Sequence, residues 1–451
     1  MSTAEGEDLT RASDEVVAHL RALLRLDTRN PPGNEALAAR YLRDVLAREG
    51  IESEMVGPSP DRATLVARLR GDGSQRPLLL MSHTDVVAVE ADKWTQDPFG
   101  GEIVDGYIYG RGALDMKDMV AMELQTMLLL KRRRVPLKRD VIFMAAADEE
   151  CGGRMGAGWV LDNRPDLLAD AEYALNEGGG SGRELNGRLY YTVQTAEKGI
   201  QRFRLRMRGE PGHASLPHDD NAVVKLAEKL SRLRHARLPI HMTATARAHI
   251  QGLAADQPEP VRSQVLAILE TDHADAAIDA IDADEVFRRN LRAILRNTVS
   301  PTILQAGKQI NVIPSEAEAQ LDGRILPGQT RQSFLRELCE LFGEDVEIDF
   351  ITPEQSFGPL ETEPQGPLWD TILQVMAERA PGSRVIPRML AGATDAKHVT
   401  RLGTRVFGFA PELYLRPGES IRIHGHDERI ATESLRWGMR TLYEVVERFC
   451  C

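Results

Sequence analysis

Three short apolar runs, each followed closely by acidic or imidazole side chains, constrain the fold of this chain more than any other feature. The runs are residues 78–81, 141–147 and 173–175. Their length and apolar character are typical of buried strands in an α/β sheet. Ligands of such sheets bind beyond the carboxyl ends of the strands. We therefore predict one polar site, built where these three strands end.

The candidate site residues share this placement at strand and helix ends. From the residue types alone they are His83, Asp85, Asp115, Glu149, Glu150 and Glu177. Acidic side chains are usually solvated, so each one alone indicates little. Several carboxylates at one sheet edge would repel one another unless cations bound them. Imidazole and carboxylate ligands suit zinc, and a second histidine is expected to complete the set.

The segments around these residues resemble a known family. HTDVV at 83–87, a tryptophan followed by DPF at 97–99, and GRGALDMK at 110–117 resemble the metal-binding core of the M20 metallopeptidases and deacylases. These motifs are most similar to the aminoacylase and carboxypeptidase S branch. Ala88, where that branch usually has proline, departs from the pattern beside the site.

The resemblance implies a centre for two divalent metal ions, most readily Zn²⁺, with Co²⁺ or Mn²⁺ as alternatives. Asp115 is the implied bridging carboxylate. His83 and Glu177 complete one metal site, whereas Glu150 and His424 complete the other. His424 is chosen because HGHDE at 424–428 matches the His-Gly-x-x-Glu with which the family closes its site.

Two neighbours of these ligands have implied catalytic roles. Glu149 precedes a ligand and is the expected general base, which takes a proton from water and passes it to the leaving nitrogen. Asp85 lies two residues after His83, on the same side of an extended chain, and is expected to orient that ring. His426 is expected to lie outside the ligand set.

The pattern changes near residue 196, which predicts a second domain. Residues 1–195 and 354–451 have the order of a catalytic α/β domain with a central, mostly parallel sheet. Residues 196–353 have the pattern of an inserted α+β domain, which the resemblance identifies as a lid or dimerisation domain. The helical stretch 236–297 is longer than the simplest lids of the family need, so its part in dimerisation stays open.

The inserted domain and the loop near residue 393 carry further residues that match the family. His213, in RGEPGHAS, matches a lid histidine that stabilises the oxyanion, often from the neighbouring subunit of a homodimer. The positions implied to face substrate are Asn311, Arg324, Gly392 and Thr394.

Composition narrows the partners and the compartment. The formal net charge is −12, and the chain has no long run of lysine and arginine, which disfavours nucleic acid as a partner. No stretch of about eighteen uncharged apolar residues indicates a membrane span. The four cysteines have neither zinc-ribbon spacing nor the density of a disulfide scaffold. We expect a cytoplasmic protein with a small-molecule substrate.

The resemblance implies a metal-dependent hydrolase that cleaves an amide next to a free carboxylate through a metal-bridging water activated by Glu149. N-acyl amino acids and short peptides are the expected substrates. A serine hydrolase is disfavoured because GGGSGR at 178–183 misses the GxSxG motif. A nucleotide-binding oxidoreductase is disfavoured because no GxGxxG follows a strand. A catalytically silent metal-bound binding or sensor protein is the main alternative, although it has no need of a base at Glu149.

Overall fold

The structure is a computed structural model that describes residues 3–351, 356–415 and 422–451. The chain divides into two compact units. The first unit comprises Met1–Thr195, Thr362–Arg388 and Thr394–Cys451, and the second comprises Ala196–Glu361 and Met389–Ala393. The predicted domain boundary between residues 353 and 354 lies outside the described residues.

The strands and helices are numbered here in chain order. The strands are β1 (Ser53–Val56), β2 (Thr64–Leu69), β3 (Leu78–His83), β4 (Ile103–Val104), β5 (Tyr107–Tyr109), β6 (Val141–Ala146), β7 (Tyr173–Asn176), β8 (Gly182–Leu185), β9 (Arg188–Glu197), β10 (Gly199–Ile200), β11 (Phe203–Arg208), β12 (Gly212–His213), β13 (Thr298–Ala306), β14 (Val312–Ile313), β15 (Glu316–Ile325), β16 (Glu347–Phe350), β17 (Leu360–Glu361), β18 (Arg384–Leu390), β19 (Arg405–Gly408) and β20 (Arg429–Ala431). The α-helices are α1 (Thr3–Leu24), α2 (Ala36–Arg48), α3 (Lys117–Arg132), α4 (Ala157–Asn163), α5 (Ala222–Ser231), α6 (Ala244–Ala255), α7 (Val261–Leu266), α8 (Ala274–Ala280), α9 (Glu285–Ile294), α10 (Arg331–Phe342), α11 (Pro367–Arg379), α12 (Ala396–Val399) and α13 (Thr432–Cys450).

The first unit is built on a mixed sheet with a parallel centre. Its strands follow the order β1-β2-β6-β3-β7-β19-β9, and β8 and β18 also pair with β9. The central strands β6, β3, β7 and β19 are mutually parallel, whereas β1, β2 and β9 add antiparallel edges. This arrangement confirms the prediction of an α/β fold with a mostly parallel central sheet.

The apolar runs in the sequence form the centre of this sheet. All six residues of β3 and all six of β6 are buried, as are the four of β7. Parallel strands are covered on both faces, which is why their sequences are continuously apolar instead of alternating. Helices α1, α3 and α13 supply apolar side chains to the same core, among them Leu20, Met119 and Leu442.

The second unit is an antiparallel sheet with its own helices and core. Its strands have the order β10-β15-β11-β16 in the sheet, and β13 pairs with the other edge of β15. Buried and less buried residues alternate along β15 and β11, as expected for a sheet that buries one face. The core contains Phe203, Phe334 and Phe342. Residues 236–297, predicted to be helical, contain α6 to α9.

Among the described residues, no helix has the length and apolar character needed to span a membrane.

Candidate metal centre

Three parallel strands deliver polar side chains to one edge of the sheet. His83 is the last residue of β3, and Glu177 directly follows β7. Glu149 and Glu150 lie in a turn of 3₁₀-helix shortly after β6. Because β3 pairs in parallel with both β6 and β7, their carboxyl ends meet at the same edge. The predicted convergence of these residues is therefore present in the fold.

Asp115 lies between two histidines that are far apart in the sequence. Its Oδ1 is 3.0 Å from Nε2 of His83, and its Oδ2 is 3.1 Å from Nε2 of His424. Each carboxylate oxygen therefore faces a different imidazole. This is the arrangement that a bridging ligand between two cations requires.

The other two predicted ligands lie on opposite sides of Asp115. Glu150 Oε1 is 3.2 Å from Nε2 of His424, whereas Glu177 Oε1 is 4.0 Å from Nε2 of His83. Donor atoms of His83, Asp115 and Glu150 lie within 4.8 Å of one another, as do those of His83, Glu149 and Glu177. The structure thus brings all five predicted ligands together.

The carboxylates raise the pKa of both imidazoles. Hydrogen bonds with Asp115 and Glu150 raise the pKa of His424 to about 10. Burial alone would lower the pKa of His83, but hydrogen bonds with Asp115 and Asp85 raise it well above its usual value. The pKa of Asp115 is depressed, because hydrogen bonds from His424 and His83 outweigh the opposing effect of burial.

The donor set fits divalent cations. It combines imidazole nitrogens with carboxylate oxygens, which are ligands that zinc and similar metals accept. The raised pKa of His424 reflects the negative charge of Asp115 and Glu150, which would also attract cations. Cations at these positions would supply the compensating positive charge and leave the imidazoles neutral.

Asp85 contacts more than the ring it was predicted to orient. Nδ1 of His83 lies 3.0 Å from the backbone oxygen of Asp85, closer than the 3.5 Å to its carboxylate. The carboxylate instead accepts hydrogen bonds from the backbone N–H groups of Glu149, at 3.0 Å, and Glu150, at 3.2 Å. The role of Asp85 in orienting His83 stays a prediction, and nothing in the sequence indicated its contact with the Glu149 backbone.

A buried polar network supports this carboxylate. Asn30 donates to Asp85 at 2.9 Å and to Asp148 at 3.1 Å. Arg62 joins Asp148, at 2.7 Å, to Glu35, whose side chain is fully buried. Asp148 has a positive φ of 71°, which few residues other than glycine adopt, and it accepts from the backbone of Met155 at 2.9 Å. These contacts fix the turn that carries Glu149 and Glu150.

Glu428 ties the loop of Asp115 to the loop of His424. Its Oε1 accepts from the backbone N–H groups of Gly112, Leu114 and Asp115, at 3.1, 2.8 and 3.2 Å. Its Oε2 accepts from Arg111 at 2.5 Å, and Arg111 also donates to the backbone oxygen of Gly425 at 3.1 Å. Glu428 belongs to the HGHDE motif, but its backbone contacts carry no sequence signal.

Lys397 is the cation beside the expected base. Its Nζ lies 3.6 Å from Oε1 of Glu149 and 3.7 Å from Oδ1 of Asp395, and its side chain is 4% exposed. Burial raises the pKa of Glu149 to about 8, against the opposing charges of Lys397 and His83. No sequence pattern marks Lys397, although it lies three residues after the predicted Thr394.

The second unit brings His213 close to Asn311. His213 pairs with Val312 in a two-stranded ladder, and the backbone N–H of Ala214 donates to the oxygen of Asn311 at 3.1 Å. His213 is exposed, and Ser215 contacts its Nδ1 at 2.7 Å. Their roles toward substrate stay predictions.

Arg324 forms a fork-like contact with Asp322. Its Nε and Nη2 donate to the two carboxylate oxygens at 2.6 and 3.1 Å. Arg324 is near the end of β15, whereas Asn311 precedes its start, so the two predicted substrate residues lie at opposite ends of this strand. Arg324 as a substrate residue stays a prediction.

The last two predicted substrate residues differ in burial. Gly392 is half-buried, and Thr394 is 2% exposed. The Thr394 hydroxyl accepts from Asn176 at 2.9 Å and from the backbone of Ala396 at 3.1 Å. Thr394 therefore links the end of β7 to α12.

His426 is 42% exposed and contacts Glu90 at 3.0 Å, outside the ligand set.

The sequence of this chain is similar to those of known proteins. The sequence profile of Peptidase family M20/M25/M40 matches residues 79–448. Human N-fatty-acyl-amino acid synthase/hydrolase PM20D1 is 31% identical over 391 residues, which cover 83% of this chain and 74% of that protein. Aminoacylase-1 of Sus scrofa is 27% identical over 420 residues, which cover 92% of this chain and 90% of that protein.

A solved structure has the same fold. The Bacillus subtilis protein YXEP, described as a dinuclear metal-binding peptidase from the M20 family, superposes with a TM-score of 0.61 at 16% identity. The match covers 98% of this chain and 99% of that one. With a profile match over most of its length, the chain belongs to peptidase family M20/M25/M40, as the resemblance in its sequence predicted.

Proposed function

We propose that this protein is a two-metal amidohydrolase that cleaves an amide next to a free carboxylate in N-acyl amino acids or short peptides. The observation that carries the proposal is the position of Asp115, whose two carboxylate oxygens face His83 and His424. A single carboxylate between two imidazoles, flanked by Glu150 and Glu177, suits two cations. Zn²⁺ is the proposed metal, with Co²⁺ or Mn²⁺ as alternatives.

The cations, when bound, would supply Lewis acidity and a lowered pKa for water. His83, Asp115 and Glu177 would hold one of them, and Asp115, Glu150 and His424 the other. Asp85 and Glu428 keep these ligands in place through the backbone groups that they bind. The chain thus contributes an ordered set of donors.

Glu149 is the proposed general base. Its carboxylate accepts a proton from the attacking water, whose oxygen forms the new bond to the amide carbon. When the carbon–nitrogen bond breaks, Glu149 gives that proton to the leaving nitrogen. The backbone contact with Asp85 and the neighbouring Lys397 restrict where the carboxylate lies.

His213, in the second unit, is proposed to act on the substrate. His213 is exposed, and a contact through Nδ1 with Ser215 orients its ring and leaves Nε2 pointing away from that contact. An imidazole N–H is a suitable donor to the oxyanion that forms during amide hydrolysis. Asn311 and the positions Arg324, Gly392 and Thr394 retain their predicted roles toward substrate as proposals.

A homodimer is proposed through strand β13. Within the described residues β15 alone pairs with β13, so the outer edge of β13 is open. Ile303 and Leu304 on this strand are 45% and 67% exposed, and residues 298–307 include no charged side chain. Open edges are usually protected by charge, so an uncharged apolar edge supports pairing with a second copy.

The silent alternative is disfavoured by two observations. A binding protein has no need of a carboxylate at Glu149 beside the ligand set, and human PM20D1 and porcine aminoacylase-1 bear the names of enzymes. A cytoplasmic location is proposed from four cysteines that form no disulfide.

The test is a hydrolysis screen of N-acyl amino acids and dipeptides with Zn²⁺, Co²⁺ or Mn²⁺ added to metal-stripped protein. Hydrolysis that requires one of these metals and a free substrate carboxylate supports the proposal. Tight metal binding without turnover on any substrate of either class supports the silent alternative.

A further inference from the structure

Arg388 contacts the loop that follows the candidate ligand Glu177 and is not used by the proposed mechanism. It belongs to β18 in the first unit and is half-buried. Its Nη1 donates to the backbone oxygen of Gly178 at 3.1 Å. Gly178 directly follows Glu177, one of the candidate ligands. The guanidinium is therefore fixed to the loop that carries that ligand.

The charge of Arg388 is not balanced by a carboxylate within the described part of the chain. Other arginines of this unit have such a partner: Arg111 contacts Glu428, and Arg62 contacts Glu35. Burial and the repulsion of Arg183 lower the pKa of Arg388 to about 10. A guanidinium that is partly removed from water and has no counter-ion is less stable than a paired one, so an anion bound there would be stabilised.

The remaining donors of Arg388 suit one kind of anion. A guanidinium has five N–H donors in a planar fork, and among the described residues the carbonyl of Gly178 is the acceptor found for Arg388. The fork matches a carboxylate, which accepts two parallel hydrogen bonds. Arg324 differs in this respect, because Asp322 already occupies its Nε and Nη2.

We infer that Arg388 binds the free carboxylate of the substrate, beside the loop of Glu177. The inference rests on the proposed hydrolase function. It assigns to Arg388 the preference of the protein for substrates with a free carboxylate. The carboxylate could belong to the amino acid part of the substrate or to the far end of a dicarboxylic acyl group. Both place the same chemical group on the same guanidinium.

The test uses a matched pair of substrates: the N-acyl amino acid that the wild-type protein hydrolyses fastest, and its carboxamide. If the wild-type protein hydrolyses none of the N-acyl amino acids, N-acetyl-L-leucine and its amide are used in the binding measurements described below. Values of kcat and KM are measured for wild type, Arg388→Met and Arg388→Lys. Arg384→Met is the control, because Arg384 is an exposed arginine on the same strand.

We expect Arg388→Met to lower kcat/KM for the free acid by about 10- to 100-fold, as expected for loss of a charge-assisted hydrogen bond. The kcat/KM for the carboxamide should change by less than about twofold, since the carboxamide lacks the negative charge that Arg388 binds. Arg388→Lys should recover part of the loss, because lysine keeps the charge without the fork. Equal losses on both substrates overturn the inference. So does the absence of any loss on the free acid when the succinylated substrate described next also shows none.

A third substrate identifies the source of the carboxylate. It carries a succinyl acyl group and a blocked α-carboxylate. A loss of kcat/KM on this substrate in Arg388→Met assigns the contact to the acyl group, and a loss confined to the N-acyl amino acid assigns it to the α-carboxylate.

Binding measurements separate this inference from the proposed function. The free acid and the carboxamide are titrated by calorimetry into Glu149→Gln, with and without Arg388→Met. Preferential binding of the acid that disappears with Arg388 supports the carboxylate site even if the wild-type protein hydrolyses neither compound. If Arg388→Met binds the acid with unchanged preference, the Arg388 site is wrong. Hydrolysis by the wild-type protein would still support the proposed function in that case.

Discussion

The backbone N–H of Asp115 donates a hydrogen bond to Oε1 of Glu428 at 3.2 Å, although the two residues are 313 positions apart in the chain. Glu428 lies four residues after His424, so one buried carboxylate holds the loops of two candidate metal ligands. Arg111, which contacts both Glu428 and the backbone of Gly425, strengthens the same connection.

This relationship predicts a specific effect of Glu428→Gln on metal binding. The amide loses the negative charge that balances Arg111 and weakens the acceptor of three backbone N–H groups. Supporting residues of this type change metal affinity by about 10- to 100-fold. Calorimetric titration of Zn²⁺ into stripped protein measures the loss. Glu433→Gln, at an exposed position of α13, is the matched control and should bind metal like wild type.

The adjacent acids Glu149 and Glu150 should have separable roles. Glu149→Gln is expected to keep its metal and to lose turnover by at least about 10²-fold, because it removes the general base. Glu150→Gln is expected to lose metal from the site that it shares with His424. Metal content by mass spectrometry and kcat on the same samples distinguish the two variants. A kcat near that of wild type in Glu149→Gln would falsify the assignment of the base.

His213 should act on turnover more than on binding. Removal of an oxyanion donor lowers kcat by about 10²- to 10³-fold. We therefore expect His213→Ala to lower kcat with a smaller change in KM, whereas His235→Ala, also exposed in the second unit, should have little effect. Mixing His213→Ala with Glu149→Gln under subunit exchange should restore activity if His213 serves the partner subunit.

The open edge of β13 predicts how the oligomer can be disrupted. Leu304→Asp places a charge on the exposed apolar edge and should produce monomers. Val286→Asp introduces the same change at a similarly exposed position on α9 and should leave the oligomer intact. Sedimentation velocity over a range of concentrations measures the result. Identical sedimentation of wild type and Leu304→Asp argues against this interface.

Glu123 predicts the pH dependence of stability. Its side chain is fully buried in α3, contacts Ser82 at 2.5 Å, and has a pKa raised well above its usual value, with burial as the largest cause. A carboxyl whose pKa is raised by folding favours the folded state below its unfolded pKa. That contribution is lost as the pH rises toward the folded pKa.

Glu123→Gln should therefore stabilise the protein increasingly as the pH rises. Glutamine has the same shape as the protonated acid and no ionisation to suppress. We expect little difference in melting temperature near pH 5 and a gain of about 2 °C or more near pH 8. Melting curves of wild type and variant across this range measure the effect. A constant difference at all pH values contradicts a neutral Glu123 in the folded protein.

The strand ends were predictable because their physical cause is local. A continuous apolar run such as residues 141–146 can only be covered on both faces, so it forms an interior strand, and the polar residues after it lie at the sheet edge. That reasoning placed Glu149, Glu150 and Glu177 correctly. His424 was identified through the family resemblance. It lies far along the sequence from the other candidate ligands, and no local pattern connects it to them.

The supporting contacts were not predictable for the opposite reason. Glu428 and Asp85 act on backbone N–H groups, and every residue type except proline offers the same donor. Lys397 and Arg388 are charged residues, which are exposed in most proteins, so their burial depends on packing between distant segments. Their positions follow from the assembled fold alone.

Stepwise addition of Zn²⁺ to metal-stripped protein, with hydrolysis of an N-acyl amino acid followed, tests the two-metal mechanism. We expect no hydrolysis at the start and a rise that is complete once about two ions are bound per chain. Asp115→Ala, which lacks the bridging carboxylate, should not recover activity. Full hydrolysis by stripped protein in which mass spectrometry detects no metal would contradict the two-metal mechanism.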